Sequence, residues 1–545
     1  MPGCNSSIVD NACCPDDTCW PSDEKISEFA KSLQGSLYRP SDSNYVSVNT
    51  WKNFIYHRKP NIIVMVTGVD DVRKSLSFAR RYNILVTIKS TGHSYNGRST
   101  RDGSLQINMK NMKGRRLNLN SDRNPAGEIT VETGNTWGDI YKEVEQNDRI
   151  IVGGAEQTVS PGGYTQGGGH SPIARSLGLA VDNLLEAHLV TVNGDLVTAR
   201  ENETIVTHSN GSTETVLDGD LLWAIRGGGG GVWGVIINFT FRLHSKPPQV
   251  VVSNHYFSFI QSGAVPGRQT LKDLFRIIQR LPSRWGGYLI FNNEKSKDIP
   301  NAWGYVQLAL NHFGPWNLSS RAAVDEVVNL TPLQLKDIKN KTSYWEFGQG
   351  AGAQAPSKVR LYLAGSFLLN DSAKFDKWVD AMVDRMTDIR VPYTSGCVGT
   401  MIGGKASQEN AHTSVSARFR TGLFCMSCYT AWLDPRMDAI GIAAGHKLNE
   451  ELLKYGQGVY YNEPSYDLPN WKELFWGGNY DRLLTIKRRW DPDNFLWCYH
   501  CIGSDIQNTG SAPAKCSVGG AVIQSAGWLT VATLSLIVII LRQSD

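Results

Sequence analysis

The chain has 545 residues, 41% hydrophobic and 19% charged, with a formal net charge of +4. That length exceeds the size at which one core stops growing, so two or three domains are expected, and the composition excludes wholesale disorder. So small a charge, with no long basic run, gives no reason to expect nucleic acid as a partner.

Residues 1–50 form a cysteine-containing lead-in with one predicted helix, Glu24 to Leu33. Asn61 to Val66 reads as a strand, and Asp70 is placed to cap a helix from Asp71 to Tyr82 whose Val72, Leu76 and Ala79 share a face. The apolar run Ile84 to Ile88 is the next strand, followed at once by Lys89-Ser90-Thr91-Gly92-His93-Ser94-Tyr95-Asn96-Gly97. Small residues at 90, 91, 92 and 94 let backbone N–H groups approach an anionic ligand, and one imidazole sits among them. The glycine pattern of this β-α-β unit follows its second strand and is not G-x-G-x-x-G, so a nicotinamide-binding reading loses its usual support.

Glu128 to Thr133 reads as a strand, Trp137 to Gln146 as a helix, and Ile150 to Val152 as a strand. A glycine-rich block, Gly153 to Ser171, then includes Glu156, Thr158, Pro161, Gly162, Gly163, Gly167, Gly168, Gly169 and His170. Ordering so many glycines costs backbone entropy, and a flexible linker is the bland alternative. Strands resume directly on either side, which favours backbone wrapped around a flat cofactor. Leu184 to Val192 and Asp195 to Arg200 flank Asn193-Gly194, a hairpin signal. A helix from Asp218 to Arg226 runs into Gly227 to Gly231 and the strand Val232 to Leu243, and Pro247-Pro248 closes this region. From Gln249 to about Tyr455, alternating strands mix with amphipathic helices at 268–280, 320–328, 372–387 and 436–454, the pattern of an α+β domain whose sheet could roof a substrate cavity. Helices within 470–489 end at Asp491-Pro492-Asp493-Asn494.

The ten cysteines include Cys425-x-x-Cys428 and Cys498-x-x-Cys501, spacings a zinc site can use. The first pair sits in the strand-like run Phe424 to Trp432, which favours disulfides or buried thiols. Sequons stand at Asn5, Asn202, Asn210, Asn238, Asn317, Asn329, Asn340 and Asn370. With the terminal cysteines they point to an oxidising secretory route, at the extracellular face of a membrane or within the pathway, although no signal peptide is visible in the first twenty residues. After a linker at 504–526, the apolar run 527–541 reads as a transmembrane anchor or a GPI-anchor signal, with the membrane as partner.

Several of these stretches together resemble the berberine bridge enzyme-like flavoproteins, with a PCMH-type FAD-binding domain, in the vanillyl-alcohol oxidase superfamily. They are Lys89 to Tyr95; Gly162-Gly163-Tyr164 through Gly167-Gly168-Gly169-His170-Ser171 with Gly178 to Asn183; Leu222 to Arg226 into the glycine run and Val232-Trp233-Gly234-Val235; then Tyr460-Tyr461-Asn462-Glu463, Asn479 to Leu483, and Asp491 to Asn494. The resemblance implies an α+β fold: a two-part FAD-binding domain (51–247, completed by 456–503) and a substrate domain (248–455) with a largely antiparallel sheet backed by helices. It implies that His93 carries FAD through a ring nitrogen bonded to the flavin 8α carbon. It also implies that Lys89, Ser90, Thr91, Gly92, Ser94, Thr158, Gly162, Gly163, Gly169, His170, Val235, Tyr460 and Asn462 bind the cofactor. Many members add a second bond from a cysteine. The matching position here is Glu156, so single attachment is expected.

The implied activity is an FAD-dependent oxidase or dehydrogenase acting on an alcohol, sugar or secondary metabolite by hydride transfer to flavin N5. Dioxygen is the expected acceptor, with Pro161 near its access route. Tyr460 is the candidate that removes the substrate's heteroatom proton, and a phenol of pKa ~10 needs a charged partner to do so near neutrality. The rival reading is a non-catalytic, membrane-tethered flavin-binding or surface protein.

Overall fold

The computed structural model describes residues 12–56, 58–258, 267–295, 303–330, 334–341, 359–369, 371–386, 394–408 and 411–506. Strands β1 (Ser36–Tyr38), β2 (Ile62–Met65), β3 (Val86–Lys89) and β4 (Leu105–Asn108) form a sheet in the order β1-β2-β4-β3. β2 and β3 each run parallel to β4, and helix Val69–Arg81 crosses from β2 to β3. β2, apolar throughout, and β4, which alternates Leu105 and Ile107 with the polar Gln106 and Asn108, are both buried along their whole length.

Val72, Leu76 and Ala79 face the core, but the predicted cap is different. The N-cap is Gly68, and Asp70 lies in the first turn, exposed, 3.4 Å from Lys74. Its neighbour Asp71 is buried and takes the backbone N–H groups of Gln34, Gly35 and Thr67. Burial raises the Asp71 pKa, and these donors outweigh that and hold it below the usual carboxylate range. The carboxylate thereby ties the lead-in, whose helix spans Asp23–Ser32, onto the first sheet.

Next come β5 (Arg115–Asn118), β6 (Glu128–Glu132), β7 (Arg149–Ile150), β8 (Leu184–Val190), β9 (Leu196–Ala199), β10 (Thr204–Thr207), β11 (Thr213–Val216), β12 (Val235–Arg242) and β13 (His244–Ser245). Seven of them make an antiparallel sheet, β11-β10-β9-β8-β12-β6-β5, and β7 pairs with β13. The β8–β9 hairpin turns at Asn193-Gly194, where Gly194 takes φ +88°, a conformation that favours glycine. Up to β13, six strands escaped the sequence reading, β1, β4, β5, β10, β11 and β13, all of two to four residues.

The third sheet contains β14 (Val250–Ser258), β15 (Trp285–Lys295), β16 (Trp303–Phe313), β17 (Gln334–Lys341), β18 (Arg360–Leu369), β19 (Thr394–Met401) and β20 (Gly422–Trp432). Its order is β17-β14-β16-β15-β19-β20-β18, antiparallel throughout. Helices Gly267–Arg280, Ser372–Met386 and Asp438–Tyr455 cover one face, with Phe275, Trp378, Met382, Leu448 and Leu452 in a single core. The first two pack with Phe275 stacked on Phe375 at 3.5 Å, flanked by Arg268–Asp384, Lys272–Asp380 and Arg276–Asp376 ion pairs at matching four-residue steps. The α+β architecture with an antiparallel, helix-backed substrate sheet is the one the sequence implied.

The C-terminal segment does not join that third core. Val459, Tyr461, Phe475, Trp476 and Leu483 share a core with Trp137 and Phe239 of the earlier region. Asp491 closes helix Tyr480–Trp490: its carboxylate takes the N–H groups of Phe495 and Leu496 and the ammonium of Lys487, all buried.

Disulfides join Cys13 to Cys19, Cys397 to Cys428 and Cys498 to Cys501, while Cys425 is a buried free thiol. These bonds take three of the four sulfurs the zinc reading required. Asn238 lies on the central strand β12 with its side-chain oxygen buried, and the exposed Asn317 caps a helix through its side-chain oxygen. Asn5 and Asn370, and the run 527–541, lie outside the described residues. Among the described residues no helix is long and apolar enough to cross a membrane.

Candidate active site

A cavity of about 1320 Å³ lies between the two earlier sheets' loops and the third sheet. Pockets for a single small molecule run to roughly 300–1000 Å³, so this one has room for a large cofactor and a substrate. The roof follows the period of two: Val252 and Asn254, Tyr288, Ile290 and Asn292, Tyr305, Gln307 and Ala309, and Ser427, Tyr429 and Ala431 all line it. Their alternates, among them Leu289, Phe291, Val306, Leu308, Met426 and Cys428, face the helices. One register therefore builds both the core and the cavity wall.

The floor is built from backbone. Ser90, Thr91, Gly92, His93 and Ser94 line it beside Gly162 and Gly163. Gly92 takes φ +79°, and a Cβ there would meet the Thr50 carbonyl at 3.0 Å. The block that the sequence showed only as glycine-rich contains a short helix, Pro161–Gln166. Ser160 caps it through its hydroxyl, and its N–H donates to Thr91 Oγ1 at 3.2 Å, joining the two loops. A Cβ on Gly162 would lie 2.5 Å from Ser90 Oγ. Among the described residues, none accepts a hydrogen bond from the backbone N–H groups of Thr91 to Asn96. Consecutive unsatisfied N–H groups facing a loop of small residues suit an anion, and the diphosphate of FAD fits this cradle.

Lys89 does not line the wall. It is buried, its Nζ 3.4 Å from the Val48 carbonyl, and burial, then the charge of Lys110, lowers its pKa to about 8. Val235 opens β12 inside the first core. Pro161 is buried at the first position of its helix. Thr158 stands behind His93, its Oγ1 2.9 Å from Nε2, and donates at 2.7 Å to Glu156 Oε1. Burial, then the charge of Lys52, lowers the His93 pKa to about 4, so this imidazole is neutral near pH 7.

Across the cavity, Tyr460 Oη accepts from the Gly169 N–H at 3.2 Å and from Asn462 Nδ2 at 2.9 Å. Asn462 also donates to the Tyr164 carbonyl at 3.0 Å. Gly169 is off the wall and acts through this bond; at φ +71°, a Cβ would lie 2.5 Å from that of Ala180. Burial, then the charge of Glu463, pushes the Tyr460 phenol well up. Both acceptor bonds are taken by donors, so its own proton is left to point at a ligand.

Glu463 is the residue the sequence reading quoted without using. Its Oε1 lies 3.2 Å from His170 Nε2, and the Ser427 hydroxyl donates to its other oxygen. Burial raises its pKa, but the charge and hydrogen bond of His170, with Ser427, outweigh this and keep the carboxyl below the usual range. Cys425 Sγ lies within 4.8 Å of the same atoms. Burial, then the charge of Glu463, pushes that thiol well up, which makes it a poor metal ligand. The signal for Glu463 was its place directly after Tyr460-Tyr461-Asn462, where a turn brings its N–H to the Tyr460 carbonyl at 3.0 Å.

An FAD binding domain model matches residues 60–200, and a berberine and berberine-like model matches residues 459–503. An FAD-linked oxidoreductase of Arthroderma benhamiae is 29% identical over 464 residues, covering 82% of this chain and 78% of that one. The crystal structure of the VAO-type flavoprotein MtVAO713 from Myceliophthora thermophila has the same fold, with a TM-score of 0.76 at 21% identity, over 91% of this chain and 97% of that one. Xylooligosaccharide oxidase from the same fungus, solved with xylobiose, superposes with a TM-score of 0.72 at 19% identity, over 88% and 98%. Matched at its floor by one model and at its far wall by the other, the chain is an FAD-linked oxidoreductase with an FAD binding domain and a berberine-like C-terminal segment, and its fold is similar to that of VAO-type flavoproteins.

Proposed function

We propose that this enzyme oxidises a polar small molecule at a carbon bearing a hydroxyl, in a sugar, an alcohol or a hydroxylated secondary metabolite, and that dioxygen regenerates its FAD. The observation that carries the reading is the convergence of Tyr460, His170 and Glu463 on one cavity with His93. The roof supports a polar substrate: Asn254, Asn292, Gln307, Tyr305 and Tyr429 offer amides and phenols at alternate positions. A xylooligosaccharide oxidase of the same fold acts on that class of molecule.

FAD, when bound, supplies an acceptor for the hydride that leaves the substrate carbon. Ser90 to Ser94 and Gly162-Gly163 would hold it, with His93 bonded to it as its single covalent tether. The remaining work falls to side chains. Tyr460, kept protonated, donates its hydroxyl to the substrate oxygen and orients it. His170 gives Nε2–H to Glu463, which leaves Nδ1 as the acceptor for the substrate's hydroxyl proton. The Glu463 carboxylate then stabilises the imidazolium, as a carboxylate behind a histidine base does. This assigns the proton acceptor to His170 backed by Glu463 rather than to the phenol.

The test is purified full-length protein, mixed without oxygen with a panel of sugars and alcohols, followed by admission of oxygen. Bleaching of the flavin band and then stoichiometric hydrogen peroxide is the expected result. A flavin-loaded protein inert to the whole panel would favour the non-catalytic binding alternative. We also read 527–541 as a membrane anchor; release of the full-length chain from membranes by carbonate alone would refute that.

A further inference from the structure

We infer that Glu156 and Thr158 prepare His93 for attachment to the flavin, holding its imidazole as the Nε2–H tautomer so that Nδ1 is the bonding atom. This rests on His93 as the attachment residue and goes further by naming two residues of this chain that select the bonding nitrogen.

The argument is one of counting protons. Thr158 has a single hydroxyl proton, and its Oγ1 lies 2.7 Å from Glu156 Oε1 and 2.9 Å from His93 Nε2. A carboxylate only accepts, so the proton goes to Glu156 and the threonine oxygen offers a lone pair to the imidazole. Nε2 must then carry the imidazole hydrogen, and in a neutral ring the lone pair is on Nδ1. Glu156 is itself held in place, since its Oε1 also takes the Thr158 N–H at 3.1 Å and its carbonyl takes the Val159 N–H at 3.1 Å. Without the carboxylate, the threonine proton is free to turn toward Nε2, which selects the opposite tautomer.

Attachment forms one Nδ1–C bond and breaks one C–H bond of the 8α-methyl. The C–H electron pair stays in the ring system, which ends two electrons reduced; dioxygen takes that pair and two protons as hydrogen peroxide. Those protons are the one lost from the carbon and the one lost from Nε2, since bonding at Nδ1 would leave the imidazole cationic. Thr158 accepts the Nε2 proton as it passes its own to Glu156, which returns it to solvent.

The experiment follows covalent incorporation in full-length wild type, Thr158→Val, Thr158→Ser and Glu156→Ala. Each is incubated with FAD, sampled over time by acid precipitation, and read by mass spectrometry of the His93 peptide. The histidyl-flavin isomer is identified after complete hydrolysis, and total bound FAD is measured after gel filtration. We expect Thr158→Val and Glu156→Ala to slow incorporation by about tenfold, the scale of losing one charge-assisted hydrogen bond, while total FAD stays near wild type. Thr158→Ser, which keeps the hydroxyl, should incorporate at the wild-type rate, and the wild-type bond should be to Nδ1. Wild-type rates in both Thr158→Val and Glu156→Ala, or a wild-type bond to Nε2, overturn the proposal while His93 remains the attachment site. No flavin on the wild-type His93 peptide refutes the attachment reading itself.

Discussion

The floor and the roof of the cavity are built under different rules. On the floor, backbone passes so close to backbone and side chain that hydrogen atoms are required in place of Cβ, as at Gly92, Gly162 and Gly169. On the roof, side chains project from alternate strand positions, and each can change without moving its neighbours' backbone. A floor of this kind specifies one ligand, whereas a roof of this kind can be retuned. The sharpest way to break this contrast is His93→Ala, which should abolish covalent flavin entirely; acid precipitation with all the yellow chromophore retained in the pellet would contradict it.

The next largest effect belongs to the wall between them. His170→Ala should lower kcat by about 10²–10⁴, the usual contribution of a positioned base, with flavin content unchanged. Anaerobic stopped-flow reduction separates this from oxygen reactivity. Removing a partner from the buried Lys487–Asp491 pair tests how far the floor depends on the C-terminal segment. Lys487→Ala should cost ~3–5 kcal/mol in urea unfolding, because Asp491 is left as a buried, uncompensated charge.

A smaller effect concerns pH. The Glu463 carboxyl is held below its ordinary value in the folded state, so its contribution to stability is complete above the unfolded glutamate pKa. That contribution fades as pH falls through the depressed folded value, and Glu463→Gln should remove this acid-side loss from a melting-temperature profile. The smallest effect is on the roof. Gln307, which donates to Asn254 at 3.0 Å, faces the cavity, and Gln307→Leu should raise KM about tenfold, with kcat and flavin content kept. A loss of bound flavin in that variant would erase the distinction between floor and roof.

The same contrast explains what could be read from sequence. Floor signals are local: Lys89 to Tyr95 and the Gly162 to His170 block are contiguous, so their glycines stand out in the sequence even though the atoms that require them, at Thr50 and Ser90, are distant. The three longest helices of the third region were also legible, because Leu271, Leu274 and Ile278, then Phe375, Trp378 and Met382, then Ala444, Leu448 and Leu452 recur at helical spacing. What escaped depended on distant partners. Asp70 looked like the cap although Gly68 holds that position, and nothing near Asp71 reveals that Gln34 and Gly35 claim its carboxylate. Glu463 looked like one more residue of a motif, since His170 and Ser427 reach it from separate elements. Strands β10 and β11, at four residues each, are too short for apolar alternation to stand out from a loop.

Tyr164 and Asn462 are 298 residues apart, yet the amide of one closes on the carbonyl of the other to seal the wall. Contacts of such separation form slowly, because a long loop must be closed before any of its stabilisation is felt. At about 5–20 residues per second, the ribosome delivers Asn462 roughly 15–60 s after Tyr164. For that interval the glycine floor exists in a nascent chain with its far wall missing. Closure of the cavity is thereby tied to synthesis of the C-terminal segment, and a chain cut before residue 456 would keep the floor residues and lose Tyr460, Asn462 and Glu463.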